Sequence, residues 1–126
     1  MKISASIFSD SEKNILTTID NLNSYHVDVI HVDCKNRFSI FDDIKTIREN
    51  STLPIDLHII TENPEAYYPG IIEYNIDYVT FQYEDLKEKT LTIPSEYKGK
   101  LGIGITTSTD ISVFENYKDS FDFILM

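Results

Sequence analysis

The 126-residue sequence has one cysteine, Cys34, no tryptophan, and only 11 Lys plus Arg against 21 Asp plus Glu. A lone cysteine cannot close an internal disulfide, so a reducing cytosol is the natural compartment. A formal charge of −10 repels polyanions and argues against nucleic acid or an anionic membrane surface as a partner. The same charge permits a cation site built from carboxylates. No run approaches the ~20 apolar residues that a membrane span needs. The opening Met-Lys-Ile-Ser-Ala-Ser-Ile leads straight into strand-like sequence, with Asp10, Glu12 and Lys13 close behind, and does not read as a signal peptide. The expectation is a soluble, cytoplasmic protein. Residues 1–126 are expected to form one domain, because 41% hydrophobic content fills a single core.

What is present is a regular alternation. The pattern predicts strands over 3–8, 27–32, 54–60, 78–82, 101–105 and 121–126, starting about every 24 residues. Ser9 and Asp10 are expected to cap a helix over 11–25, with Ile15, Leu16, Ile19 and Leu22 on one face. A second helix is expected over 41–49, with Ile44 and Ile47 inward and Asp42 and Asp43 in its first turn. Thr61 or Asn63 caps a third, with Pro64 in its first turn. A weak, charged helix over 83–88 and a short one over 110–117 complete the reading. Strands alternating with helices predict an α/β fold with a parallel sheet and right-handed crossovers. A (β/α)8 barrel needs eight such units and usually more than about 200 residues, whereas this chain supplies about five and a half. It also stops inside an apolar strand, Phe-Asp-Phe-Ile-Leu-Met, as a piece of a longer chain would.

His31 and Asp33 interrupt the second strand near its end. Residues two apart in a strand point to the same side. Asp56 and His58 repeat the arrangement on the third strand. Both pairs fall toward strand C-termini, the edge where ligands bind in α/β folds. Two imidazoles and a carboxylate converging there suit Zn, Mn or Fe. A strand-end histidine can instead be a hydrogen-bonded structural residue. Two His and Asp pairs on consecutive strands resist that reading, since burying unpaired ionisable groups is costly. Spacing alone leaves a metal site and an acid/base site both open. His26 sits at a helix-to-strand turn and is expected to be solvated, and Cys34 faces away from Asp33 as core filler. Ser6, with Ser4 before it on the same face, ends the first strand and is a candidate for a substrate hydroxyl or a loop contact. Gly102 and Gly104 form a GxG with no third glycine and no helix behind it, which does not make a dinucleotide motif. They are expected to let a crowded interior close. Tyr67, Tyr68, Tyr74, Tyr78 and Tyr83 read as packing or surface.

Taken together, these stretches resemble the ribulose-phosphate 3-epimerase family. "ISASIFS" is similar to the family's strand-one motif ending Ser-Ile-Leu-Ser, and "VDVIHVDCKN" resembles its His-Val-Asp-x-Met-Asp segment. "LPIDLHIITENPEAYY" resembles its Leu-Pro-x-Asp-Val-His-Leu-Met-x-x-x-Pro stretch. "GIGITTSTDISVFENYKDSFDFILM" looks like its strand-five to strand-six region. The resemblance covers essentially the whole chain and implies the N-terminal two-thirds of a (β/α)8 TIM-type barrel. It implies metal-dependent inversion at C3 of a ketopentose phosphate through a cis-enediolate, with a divalent ion holding the ketone and C3 oxygens. By motif, His31, Asp33 and His58 become metal ligands and Asp33 doubles as an acid/base. Ser6 would bind substrate, and Met126 would take the place of a methionine lining the site.

The departures are specific. The family's second acid/base and fourth ligand, an aspartate on strand seven, has no counterpart here, nor do the glycine-rich phosphate loops after strands six to eight. Lys35 and Asn36 stand where the family has Met and Asp, and Ile60 replaces another site methionine. Gln82 replaces a histidine, and Thr106-Thr107 replaces Asn-Pro. A changed substrate, a non-catalytic relative, or a half-barrel homo-oligomer that covers its open edges are the alternatives these differences keep in view.

Overall fold

A computed structural model describes residues 1–7, 14–89, 91–115 and 121–126. The strands are β1 (Ser4–Ser6), β2 (Val29–Lys35), β3 (Ile55–Ile60), β4 (Tyr78–Gln82), β5 (Lys100–Gly104) and β6 (Phe123–Leu125). The α-helices are α1 (Ile15–Ser24), α2 (Ile40–Asn50) and α3 (Tyr68–Glu73). The strands pair in sequence order, all parallel. The result is a curled half-barrel with helices between the strands, a partial TIM-type barrel.

The core lies between the convex face of the sheet and the helices. Ile30, Val32 and Cys34 of β2 and Ile55, Leu57 and Ile59 of β3 are all buried. They pack in one cluster with Ile19 of α1 and with Ile40, Ile44 and Ile47 of α2. The α2 set recurs at i, i+4 and i+7, one face of a helix. Each fully buried Ile contributes about 1.5–3 kcal/mol relative to exposure. Cys34 is core filler, as its phase predicts.

Helix ends show where the chemistry of the caps decides. α1 starts at Ile15 because the Asn14 side chain accepts a hydrogen bond from the Thr17 N–H at 2.9 Å. The expected caps Ser9 and Asp10 lie outside the described residues. The segment after Thr61 opens as a 3-10 turn over Pro64–Tyr67 before α3. Pro64 and Pro69 fall in the first turns of these two segments, where a missing N–H costs nothing. The expected helix over 83–88 shrinks to a 3-10 turn, Tyr83–Asp85. Leu86 turns extended and is buried, and the Lys87 N–H reaches the Glu62 carbonyl, so tertiary burial wins over a weak helical tendency. The expected helix over 110–117 is a 3-10 turn, Ile111–Phe114, capped by the Asp110 side chain on the Ser112 N–H at 2.9 Å. Residues 116 and 117 lie outside the described set.

The N-terminal rim of the sheet is tied by a repeated device. Asp28 accepts from the Ile3 N–H at 2.6 Å, Asp77 from Ile55 at 2.9 Å, and Asp122 from Leu101 at 2.8 Å. Each aspartate sits just before one strand and captures an amide at or beside the start of the strand preceding it in the sheet. His26 and Asn75, two residues before Asp28 and Asp77, have positive φ of 56° and 47°. They lie just past the C-caps of α1 and α3, where a left-handed residue ends a helix. His26 is therefore a turn residue. No helix among the described residues is long and apolar enough to cross a membrane.

Candidate metal centre

Alternation in β2 and β3 puts the site on the concave face. In β2 the even residues are buried under the helices, which leaves His31, Asp33 and Lys35 on the other side. In β3 the odd residues are buried, so Asp56 and His58 share that side. Parallel register sets His31 beside Asp56 and Asp33 beside His58. Charge and imidazole thus alternate in both directions across the two strands.

The side chains close this pattern into a network. His31 Nδ1 lies 2.9 Å from Asp56 Oδ2, and His31 Nε2 lies 2.9 Å from Asp33 Oδ1. The same Asp33 oxygen is 3.3 Å from His58 Nδ1. His58 Nε2 is 2.8 Å from Gln82 Oε1, and Gln82 Nε2 donates to Glu84 Oε1 at 2.9 Å. The Thr106 N–H donates to that Glu84 oxygen at 2.6 Å. The outer nitrogen of each ring is held by a second group, and both inner nitrogens converge on Asp33 Oδ1. His31, Asp33 and His58 each offer one ligand atom, all within 4.8 Å of one another.

The electrostatics follow from these contacts. The hydrogen bond to Asp56 is the main reason the His31 pKa lies above its usual 6.5; burial opposes the shift, and the charges of Asp56 and Asp33 add to it. A metal ion at Nε2 would have to displace the proton these carboxylates favour. Burial pushes the Glu84 carboxyl up, but hydrogen bonds from Thr106 and Gln82 outweigh it, and the group ends below its usual value. The donor set fits a divalent ion of borderline hardness. The outer partners fit as well, since a ligating histidine commonly gives its other N–H to a carboxylate or amide.

The structure brings His31, Asp33 and His58 together. Ser6 ends β1 opposite His31 in register, half-buried and one strand from the cluster. Met126 follows β6, is 86% exposed and does not enter the cluster. Asp56, paired with His58 in the sequence pattern but given no role there, is the orienting partner of His31. Glu84 was not singled out, and Thr106 only as part of the Thr106-Thr107 pair, without its bond to Glu84. The one signal for Glu84 is its spacing two residues past Gln82, at a strand end.

Residues 2–126 match the sequence model of the ribulose-phosphate 3 epimerase family. The chain belongs to this family. A ribulose-phosphate 3-epimerase of Aquifex aeolicus (strain VF5) is 25% identical over 107 residues, covering 79% of this chain and 48% of that protein. One from Bacillus subtilis (strain 168) is 22% identical over 134 residues, 100% of this chain and 62% of that protein. One from Buchnera aphidicola subsp. Schizaphis graminum is 28% identical over 86 residues, 66% and 38%. The chain thus spans about half the length of the curated relatives it matches. Among epimerase-family chains it is a divergent one.

Proposed function

We propose that residues 1–126, as one domain, carry the metal-binding side of an active site that epimerises a ketopentose phosphate at C3. The reaction would interconvert ribulose 5-phosphate and xylulose 5-phosphate through a cis-enediolate, in the cytoplasm. The observation that carries this reading is the convergence of His31, Asp33 and His58 within 4.8 Å at the strand C-termini, in a chain of this family.

His31, Asp33 and His58 would hold Zn, Fe or Mn through Nε2, Oδ1 and Nδ1. When bound, such an ion supplies positive charge opposite the charge that develops on the ketone and C3 oxygens. Asp33 has the right division of labour for an acid/base. Its Oδ1 faces both rings, and its Oδ2 receives no hydrogen bond from the described residues. That second oxygen would take the C3 proton as a general base and later return one. Its side chain is 52% exposed, so substrate can reach it. Ser6 would accept or donate a hydrogen bond to a substrate hydroxyl, and Met126 would cover the substrate. Inversion also needs a proton donor on the opposite face, so the complete reaction is proposed for a protein that supplies one alongside these residues.

The test is exchange of the C3 hydrogen of ribulose 5-phosphate with deuterium from solvent, in a sample of confirmed metal content. Exchange that disappears in Asp33→Asn is expected. Absence of exchange in metal-loaded protein overturns the epimerase reading. A second reading, a relative that binds metal and ligand without turnover, is favoured by Lys35 and Gln82, which replace family residues on the site's own face. Metal binding with no exchange would select it.

A further inference from the structure

We propose that Gln82 is a positioning residue that, with Glu84 behind it, locks His58 in the Nε2–H tautomer and leaves Nδ1 as the lone-pair donor. The inference rests on the metal-centre reading and adds to it a device for presenting one ligand.

The assignment follows from what each group is able to donate. A backbone N–H only donates, so Glu84 Oε1 accepts from Thr106, 2.6 Å away. An ionised carboxylate only accepts, so the amide group of Gln82 that faces it must be the NH2, at 2.9 Å. The opposite end of that amide, Oε1, therefore faces His58 Nε2 at 2.8 Å. An amide oxygen only accepts, so Nε2 carries the hydrogen. In a neutral imidazole the other nitrogen, Nδ1, is then bare.

The lock has a competitor to overcome. Asp33 Oδ1 lies 3.3 Å from His58 Nδ1 and would draw the ring proton to that side. A carboxylate is the stronger acceptor. Without an acceptor at Nε2, the Nδ1–H tautomer would prevail and the ligand lone pair would point away from the site. Gln82 opposes this from a buried position, 9% exposed, where water competes poorly.

The neighbouring strand makes room for the bond. Gly104 pairs with Gln82 in register. A Cβ at 104 would come within 2.8 Å of Gln82 Oε1 and 3.4 Å of His58 Nε2. Glycine there permits the amide and the ring to meet.

The experiment reads tautomer and metal affinity separately on the full chain. Two-bond nitrogen–proton NMR spectra of 15N-histidine-labelled, metal-free protein report which His58 nitrogen bears the hydrogen. Competition between the protein and a chelator reports Zn²⁺ affinity. Wild type is expected in the Nε2–H form. Gln82→Met should move His58 toward Nδ1–H and weaken Zn²⁺ binding about 10- to 100-fold. Gly104→Ala should give the same tautomer change by displacing the Gln82 oxygen, and serves if Gln82→Met does not fold. Gln82→Glu, still an acceptor, should keep the Nε2–H form. A wild-type Nδ1–H signal, or a folded Gln82→Met unchanged in tautomer and affinity, overturns the proposal. If wild type binds no Zn²⁺ but Gln82 still governs the tautomer, the positioning role stands and the metal reading fails.

Discussion

Removing the Asp56 carboxylate should weaken metal binding from the His31 side by an amount the contact itself sets. Asp56 Oδ2 and His31 Nδ1 are 2.9 Å apart and both side chains are 19% exposed, so the bond is shielded from competing water. A hydrogen bond to a charged group is worth about 1.5–3 kcal/mol. At about 1.4 kcal/mol per decade, that is roughly 10- to 100-fold in affinity, the range typical of groups that orient a ligating histidine. Asp56→Asn keeps an oxygen that can accept from Nδ1–H but loses the charge, so it should lie near the lower figure. Asp56→Ala loses both and should lie near the upper. Zn²⁺ competition with a chelator at fixed pH measures the difference, with circular dichroism confirming the fold. The metal-free protein gives an independent readout. Because the His31 pKa is raised in the fold, its contribution to stability is full below the unfolded value of about 6.5 and is lost as pH rises through the folded value. Asp56→Ala should flatten that alkaline-side loss in denaturation curves. Wild-type Zn²⁺ affinity in both variants, together with an unchanged pH slope, would refute the orienting role.

Two further outcomes test the frame around the site. Glu84, with its pKa lowered, stabilises the fold above the usual value near 4.5 and loses that contribution as pH falls through the folded value. Glu84→Gln should therefore show a shallower acid-side loss by urea denaturation between pH 5 and pH 3; an identical acid limb counts against the Thr106 and Gln82 contacts. Asp77 accepts from the Ile55 N–H at 2.9 Å and from Arg48 at 3.1 Å. Asp77→Ala leaves that amide without its partner and should cost about 1–3 kcal/mol, with metal affinity unchanged, since the rim it ties is at the other end of the strands.

The strands were legible because burial and period agree. Ile30, Val32 and Cys34 alternate with His31, Asp33 and Lys35, and only one phase can face the helices. α2 was legible for the same reason, through Ile44 and Ile47. The short helices were not, because Tyr83–Asp85 and Ile111–Phe114 are single turns set by one buried side chain or one cap, which no window of periodicity registers. Within the site, the meeting of His31, Asp33 and His58 could be read from two spacings on adjacent strands. The relay through Gln82, Glu84 and Thr106 could not, since Thr106 lies 22 residues from Glu84 and it is the register of β4 beside β5, Gln82 against Gly104, that brings them together.

Two positions where the sequence departs from the resemblance, Lys35 and Ile60, fall on one layer of the sheet. They are register partners at the C-terminal rim. One step below them lies the pair Asp33 and His58, and a further step down lies His31 with Asp56. The lower layers constrain one another, because each carboxylate there contacts an imidazole and each imidazole nitrogen has a partner. Changing one member leaves a half-buried polar group unpaired, which costs about 1–3 kcal/mol. Lys35, exposed at the rim, carries no such obligation. Substitution at Lys35 would therefore change what approaches the cluster and leave its hydrogen bonds intact, whereas Gln82, another departure, is bonded directly to His58.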